Sequence, residues 1–289
     1  MPHFDFSPQG IQALARADMS RALAEDVGAG DLTAGLIDPQ RRARARVLVR
    51  ESAVLCGSAW ADAAVQALDP SARLTWQAAE GQRVQPDQVV LRIEGQAQAL
   101  LTAERTALNF LQLLSAVATH TASFVAAIAE VPGNRAVIVD TRKTLPGLRL
   151  AQKYAVRAGG GTNHRIGLFD AVLIKENHIA AAGGVTAALQ RAQAVAAQAQ
   201  FIEIEVETLA QLDEALTAGA RMVLLDNMTF EHMRQAVALN AGRAVLEVSG
   251  GVNMDTVREI AATGVDRISI GALTKDVRAT DFSMRFEDL

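Results

Sequence analysis

The sequence predicts an α/β protein made of two parts: an N-terminal α+β domain with a sandwich-like sheet, residues 1–130, and a parallel α/β barrel, residues 131–289. Short β-rich stretches punctuated by Gly or Pro fill residues 44–93, as expected for a small β-sandwich. After residue 134, six apolar strand-like stretches alternate mostly with Ala-rich helical ones, which is the signature of parallel βαβ units. We therefore expect an open barrel of six or seven strands, onto which the N-terminal helix can return.

Two helices are predicted in the N-terminal part. Residues 8–26 carry apolar side chains at helical spacing. A long helix is expected from about Ala103 to Glu130, with Thr102 as its N-cap and Pro132-Gly133 as its stop. Its most apolar stretch contains Asn, Gln, His, Ser and Thr, which indicates a buried helix of a soluble protein rather than a membrane span.

The bulk composition excludes several classes of function. The formal net charge is -4, which argues against a general nucleic-acid-binding or membrane-surface role. Cys56 is the only cysteine, so an intrachain disulfide and a Cys-based zinc site are both excluded. The absence of disulfides suits a reducing compartment, and the N-terminus lacks the features of a signal peptide. We therefore expect a cytoplasmic protein.

Polar or small residues close each of the six predicted barrel strands, whose middles are apolar. These residues are Asp140, Lys175, Glu205, Asp226, Ser249 and Gly271. Active sites of parallel α/β barrels form at the C-terminal ends of the strands, so these residues are expected at one mouth. The glycine triplet at 159–161 does not follow a strand directly, so it is not a dinucleotide-binding fingerprint.

Positive charge is concentrated between Arg142 and Lys175, where Asp170 is the one acid. Arg142, Lys143, Arg165 and Lys175 are expected at the barrel mouth. An arginine side chain offers a planar fork that matches carboxylates and phosphates. Several cations in one pocket repel each other, so a multiply charged anion is the expected ligand.

Other charged residues of this region have simpler interpretations. Arg149, Lys153 and Arg157 are spaced by four, which is typical of a solvated helix face. His178 is expected to be structural. Glu203 and Glu207 are interpreted as partners of surface cations on the neighbouring helices. His178, Glu203 and Glu207 are therefore not assigned to the site.

A second set of strand-end residues suits a phosphorylated sugar. Glu205 and Asp226 could hold Mg²⁺, a hard cation that prefers oxygen ligands, or sugar hydroxyls. Small residues at 249–251 and 270–272 are expected to expose backbone N–H groups at helix N-termini, where barrels of this kind bind phosphate.

The chain resembles the quinolinate phosphoribosyltransferases, also called nicotinate-nucleotide pyrophosphorylases (carboxylating), from about residue 20 to residue 275. The resemblance lies in "EDVGAGDLTAGLI", "ERTALNFLQLLSAVAT", "DTRKTLPGLR", "KYAVRAGGGTNHRIGLFDAVLIKENHI", "EVET", "LLDNM", "VSGGV" and "ISIGALT". It implies transfer of a phosphoribosyl group from 5-phosphoribosyl-1-diphosphate to quinolinate, with loss of CO2 and with Mg²⁺ as cofactor. The product would be nicotinate mononucleotide, on the de novo route to NAD.

The resemblance also implies roles for individual residues. The quinolinate carboxylates would be bound by Arg105, Thr141, Arg142, His164, Arg165 and Lys175. The catalytic residues would be Lys143, beside the diphosphate, with Glu205 and Asp226 at the ribose hydroxyls and the metal, directly or through bound groups. The 5-phosphate would lie against Ser249, Gly250, Gly251, Ile270, Gly271 and Ala272. Because Arg105 would reach into the site of a neighbouring subunit, a homodimer or larger assembly is implied.

Two departures and three alternatives accompany this interpretation. Ala116 and Ala158 stand where the family often has Gly and Cys, and neither position carries a charge-bearing ligand. A related phosphoribosyltransferase-like protein of molybdenum uptake, a Schiff-base aldolase with Lys175 as nucleophile, and an RNA- or anion-binding protein stay open as alternatives.

Overall fold

A computed structural model describes residues 4–288. Its α-helices are α1 (Pro8–Val27), α2 (Ser58–Leu68), α3 (Ala97–Ala129), α4 (Arg149–Ala158), α5 (Glu176–Ala182), α6 (Val185–Ala192), α7 (Leu209–Thr217), α8 (Phe230–Asn240), α9 (Val257–Ala262) and α10 (Ala272–Lys275). Its strands are β1 (Arg42–Val49), β2 (Ala53–Val54), β3 (Arg73–Trp76), β4 (Arg83–Val84), β5 (Val89–Gln96), β6 (Val137–Val139), β7 (Val172–Ile174), β8 (Ile202–Val206), β9 (Met222–Asp226), β10 (Val245–Ser249), β11 (Arg267–Ser269) and β12 (Phe282–Asp288).

One compact unit, here called the barrel unit, comprises residues 123–144 and 161–275. Its six strands form one sheet in the order β6-β11-β10-β9-β8-β7, and each pairing in it is parallel. The first strand of the barrel therefore pairs with the last. At the other edge of β6, Val139 makes a single parallel bridge to Thr162. The predicted open parallel barrel is confirmed, with six strands.

Burial explains why these six segments form strands. Their middles are β-branched or aliphatic, and Val223, Leu225, Val248 and Ile268 are completely buried. Strands of a parallel sheet are covered on both faces, which favours such continuous apolar runs. The predicted helices between them are also present, from α5 and α6 through α9. The polar residues at the strand ends are thereby brought to one edge of the sheet.

The second compact unit, here called the N-terminal unit, comprises residues 4–122, 145–160 and 276–288. An antiparallel sheet in the order β12-β1-β5-β3 forms its framework, and β2 pairs with β4. The sequence-based boundary between residues 130 and 131 places residues 145–160 and 276–288 with the barrel, whereas they pack in this unit. The returning strand β12 pairs with β1, a long-range contact that local patterns do not encode.

Helix predictions in the N-terminal unit were partly right. The first helix is confirmed as α1, whereas α2 lies in a region expected to contain only strands. The long helix begins at Ala97, directly after β5, so the prediction that Thr102 caps it was wrong. Thr102 lies inside the helix, and its Oγ1 donates a hydrogen bond to Asp31 Oδ2 at 2.8 Å. No loop separates β5 from α3, so the usual capping signal is missing.

Length and composition alone would allow α3 to cross a membrane. However, 61% of its most apolar 18-residue window is buried within the protein. This burial is typical of the core helix of a soluble protein.

The basic helix α4 is less solvated than its spacing suggests. Arg157 is exposed, with its guanidinium 4.7 Å from the ring centroid of Phe6. Lys153 is completely buried, so the prediction of a solvated face was wrong for this residue. A spacing of four residues identifies one face of a helix but not the surroundings of that face.

Candidate active site

A cavity of about 160 Å³ lies at the C-terminal ends of the barrel strands. Eight predicted site residues line it: Thr141, Arg142, Lys143, His164, Arg165, Lys175, Glu205 and Ser249. Size alone does not identify this site, because the N-terminal unit contains a larger cavity of about 570 Å³. The larger cavity has two charged residues among its described lining, Arg16 and Asp62. The concentration of charged groups makes the barrel cavity the candidate active site.

The turn after β6 carries Thr141, Arg142 and Lys143 to the cavity. The backbone N–H of Lys143 donates to Thr141 Oγ1 at 3.1 Å, and the Lys143 carbonyl accepts from Thr274 Oγ1 at 2.7 Å. A Cβ at Gly271 would lie 3.0 Å from Lys143 Cδ and 3.8 Å from its Nζ. The lysine side chain therefore passes directly over Gly271, where glycine leaves room for it.

His164 is held in one orientation by hydrogen bonds on both sides of its ring. Its backbone N–H donates to Asp140 Oδ1 at 2.9 Å. The backbone N–H of Arg165 donates to His164 Nδ1 at 2.8 Å, so Nδ1 acts as an acceptor and the ring proton lies on Nε2. His164 Nε2 then donates to Glu203 Oε2, also at 2.8 Å. Both ring nitrogens are thus engaged within the protein.

The guanidinium groups of Arg142 and Arg165 lie close enough to interact. Burial, followed by the neighbouring charge of Arg142, lowers the pKa of Arg165. Arg165 Nη1 donates to the carbonyl of Ala171 at 3.2 Å. Arg142 Nε is buried and lacks a hydrogen-bond partner within residues 4–288. Two cations of this kind, one with an unsatisfied donor, favour the binding of an anion.

Two buried carboxyl groups lie beneath the cationic residues. Glu203 and Glu247 are both completely buried. Glu247 Oε2 accepts from Arg267 Nε at 2.7 Å, while its Oε1 accepts from Ser269 Oγ. Burial raises the pKa of Glu203 to about 8, although the charges of Arg267 and Arg165 oppose the rise. Burial, and next the charge of Glu203, also raises the pKa of Glu247.

The prediction that Glu203 faces surface cations was wrong, because its side chain points to the inside of the barrel. Glu207 is exposed, as expected. Glu247 and Ser269 line the cavity, but sequence reasoning did not select them. A signal was present for Glu247, which is the one charged residue of strand β10, whereas Glu203 alternates with Glu205 along strand β8. Buried charges of this kind are rare unless they are paired.

Glu205 and Asp226, the two acids predicted at neighbouring strand ends, lie in different environments. Glu205 is 9% exposed, and its Oε2 accepts from Lys175 Nζ at 3.0 Å. Asp226, at the end of the adjacent strand β9, is half-buried and accepts from Asn227 Nδ2 at 2.8 Å. The Lys175 backbone N–H donates to His178 Nδ1 at 2.9 Å, which confirms the structural role predicted for His178.

The glycine-rich segment after β10 depends on backbone geometry. Gly250 has φ +100°, and a Cβ there would come within 2.1 Å of Asn227 Oδ1. Gly251 has φ +60° with open space around it. The prediction that this segment lies at a helix N-terminus was wrong, because α9 begins only at Val257. By contrast, α10 begins directly after Gly271.

Two predicted groups lie outside the cavity lining. Asp226, Gly250, Gly251, Ile270, Gly271 and Ala272 are in the barrel unit but not among the residues that line the cavity. Arg105 is exposed on α3 in the N-terminal unit.

Comparison with known proteins places the chain in a family. The sequence matches the model "Quinolinate phosphoribosyl transferase, N-terminal domain" over residues 31–115 and the corresponding C-terminal domain over residues 117–285. It is 41% identical over 280 residues to a nicotinate-nucleotide pyrophosphorylase [carboxylating] of Mycobacterium leprae, covering 93% of this chain and 96% of that protein. It is 38% identical over 286 residues to quinolinate phosphoribosyltransferase [decarboxylating] 1 of Nicotiana glauca, covering 92% and 80%.

A solved structure agrees with this assignment. The nicotinate-nucleotide pyrophosphorylase of Francisella tularensis superposes with a TM-score of 0.91 at 40% identity, covering 99% of this chain and all of that one. The similarity therefore extends over most of the sequence and over the whole fold. The chain belongs to the quinolinate phosphoribosyltransferase family.

Proposed function

We propose that this chain transfers the phosphoribosyl group of 5-phosphoribosyl-1-diphosphate to quinolinate and releases CO2 and diphosphate. The product is nicotinate mononucleotide, an intermediate in de novo NAD synthesis. The names of its relatives, pyrophosphorylase [carboxylating] and phosphoribosyltransferase [decarboxylating], describe this reaction from its two directions. The cavity supplies the chemistry that both anionic substrates need.

The observation that carries the assignment of the quinolinate end is the pair Arg142 and Arg165. Each is at least partly buried, and burial together with the neighbouring charge of Arg142 lowers the pKa of Arg165. Within residues 4–288, Arg142 Nε has no hydrogen-bond partner. A pyridine dicarboxylate would supply oxygen acceptors and two negative charges at this place. Thr141, His164 and Lys175 complete the wall around it.

The phosphoribosyl donor is assigned to the other strand ends. Lys143 Nζ lies over Gly271, where an ammonium can hold the diphosphate, and the 5-phosphate is assigned to the backbone at 249–251 and 270–272. Glu205 and Asp226 would hold Mg²⁺, directly or through bound groups. Their oxygen donors and the partial exposure of Asp226 suit an ion that keeps several waters and phosphate oxygens. Bound Mg²⁺ would neutralise charge on the leaving diphosphate.

The reaction then needs positioning and electrostatic stabilisation more than covalent catalysis. The bond from ribose C1 to diphosphate breaks, and its electron pair leaves with diphosphate. Glu205 and Asp226 stabilise the oxocarbenium-like C1 while the pyridine nitrogen donates its lone pair to it. The positive ring nitrogen then favours loss of the adjacent carboxylate as CO2, and C2 keeps the electron pair and takes up a proton.

The central assay is release of CO2 from carboxyl-labelled quinolinate. Release should require both the phosphoribosyl donor and Mg²⁺, and nicotinate mononucleotide should form in equal amount. Borohydride should trap no adduct on Lys175, since no Schiff base forms. A protein that releases no CO2 with both substrates present, or that is inactivated by borohydride with a carbonyl substrate, would contradict the proposed reaction.

The assembly is proposed to be a homodimer or a larger oligomer in the cytoplasm, in which Arg105 completes the site of a neighbouring subunit. The side chain of Arg105 is exposed on α3, which leaves it available to a neighbouring subunit. Mixed Arg105→Ala and Lys175→Ala subunits should regain roughly a quarter of the wild-type activity, because half of randomly formed dimers contain one intact site of two.

The matched control is a mixture of Lys143→Ala and Lys175→Ala subunits. Both residues belong to the same subunit's cavity, so no hybrid contains an intact site and activity should stay absent. Equal recovery in both mixtures, or none in either, would overturn the shared-site proposal.

A further inference from the structure

We propose that Glu203 is a positioning residue for quinolinate: it fixes the ring of His164, and that ring fixes the backbone of Arg165. This inference deepens the proposed function, since it rests on the assignment of Arg165 to a quinolinate carboxylate. Glu203 does not line the cavity, so it acts through its neighbours rather than on the substrate.

The geometry is a continuous chain of three groups. Glu203 Oε2 accepts from His164 Nε2, and His164 Nδ1 accepts from the Arg165 backbone N–H, each at 2.8 Å. His164 is buried, with 7% of its surface exposed. Its ring packs edge-on against Phe201, with the ring centroids 5.3 Å apart. Ring rotation is therefore restricted, and the protonated nitrogen must point toward Glu203.

The neighbouring carboxyl cannot take the place of Glu203. Glu247 Oε1 lies 3.5 Å from His164 Nε2, too far for a good hydrogen bond. Its two oxygens already accept from Ser269 and Arg267. Loss of the Glu203 carboxyl therefore leaves His164 Nε2 without its hydrogen-bond acceptor, and the ring that accepts from the Arg165 backbone is no longer held in place.

A metal ion is the competing interpretation of this cluster. Single ligand atoms of His164, Glu203 and Glu247 all lie within 4.8 Å of one another. A metal-ligating imidazole normally donates its other N–H to an acceptor. Here the other nitrogen, Nδ1, accepts a hydrogen bond from Arg165 instead, so the proton occupies the nitrogen that would have to bind the metal. The arrangement favours a hydrogen-bonded positioning role.

The test compares Glu203→Ala and Glu203→Gln with wild type, using Glu207→Ala as the matched control. Glu207 lies just beyond the same strand and is exposed. Removing the acceptor should raise the KM for quinolinate on the order of 10- to 100-fold, the effect of a buried donor left unpaired. The KM for the phosphoribosyl donor should stay within about twofold in the same variant, since that substrate does not contact Arg165.

Glu203→Gln should restore most of the quinolinate affinity, because its amide oxygen can still accept from His164 Nε2. Circular dichroism checks that each variant folds. If Glu203→Ala does not fold, Glu203→Met fills the same volume without an acceptor and should show the same selective rise in KM. Equal KM values for Glu203→Met, Glu203→Gln and wild type would overturn the proposal.

Arg165→Ala separates failure of this inference from failure of the proposed function. If wild type does not convert quinolinate, or if Arg165→Ala leaves its KM unchanged, the functional assignment fails. If Arg165→Ala raises that KM but folded Glu203→Ala behaves like Glu207→Ala, only the positioning role fails. If wild type contains a stoichiometric transition metal that both Glu203→Ala and Glu203→Gln lose, the positioning role is wrong and the cluster is a metal site.

Discussion

The two ends of the proposed active site are built in different ways. The proposed quinolinate end, defined by Arg142, His164, Arg165 and Lys175, consists of basic side chains, of which His164 is supported by a buried carboxyl group. The proposed phosphate end, defined by residues 249–251 and 270–272, consists of backbone that is exposed or half-buried except at the buried Ile270, with Gly250 and Gly251 at positive φ. At the first end, hydrogen bonds position the side chains. At the second end, the backbone conformation determines the geometry.

This difference follows from what each ligand group requires. Flat carboxylates on a rigid ring are recognised by directional donors at fixed positions, so the arginines need support from beneath. A phosphate is nearly spherical and accepts from several backbone N–H groups at once, so close approach of the chain matters most. Mutations at the two ends should therefore fail in distinguishable ways.

The largest effect is expected where the two ends meet, at Arg142 and Lys143. Arg142→Ala or Lys143→Ala should lower kcat by about 10²- to 10³-fold or more, the cost of losing a preorganised charged group at a developing charge. Quinolinate turnover and circular dichroism should be measured together. A variant that loses its helical signal along with its activity would show instead that these residues hold the fold.

A matched pair of glycines tests the phosphate end. Gly250→Ala should raise the KM for the phosphoribosyl donor, because its Cβ would come within 2.1 Å of Asn227 Oδ1 and displace the loop. A Cβ at Gly251 would meet open space, so Gly251→Ala should cost only the backbone strain of an alanine at φ +60°, about 1 kcal/mol. Quinolinate KM should stay near wild type in both variants. Comparable donor KM values for the two would show that the loop adjusts freely.

Sequence reasoning reached the barrel and most of its mouth because both are local signals. Six apolar runs closed by polar residues identify parallel strands, and Lys175 and Glu205 stand at their ends. The support beneath the site was missed, because only the folded barrel brings Glu203 and Glu247 together at His164. The order of distant segments, such as β12 beside β1, likewise depends on tertiary packing.

The smallest effect concerns the pH dependence of stability at the quinolinate end. The pKa of Glu203 is raised from 4.5 to about 8 in the folded protein, chiefly by burial. The native state therefore holds a proton that the unfolded chain releases as the pH rises above about 4.5, and folding stability from this group falls between pH 5 and 8. Glu203→Gln has no such proton to lose. Its free energy of unfolding, relative to that of wild type, should therefore increase as the pH rises from 5 to 8.

Urea unfolding of wild type, Glu203→Gln and Glu207→Gln at pH 5, 6.5 and 8 measures this trend. Glu207→Gln is the surface control, since Glu207 is exposed just beyond the end of the same strand. A difference between Glu203→Gln and wild type that does not change from pH 5 to pH 8 would mean that the Glu203 carboxylate is already charged in the folded protein, stabilised by Arg165 and Arg267. The quinolinate end would then be an ion network, and the contrast with the uncharged backbone of the phosphate end would be sharper still.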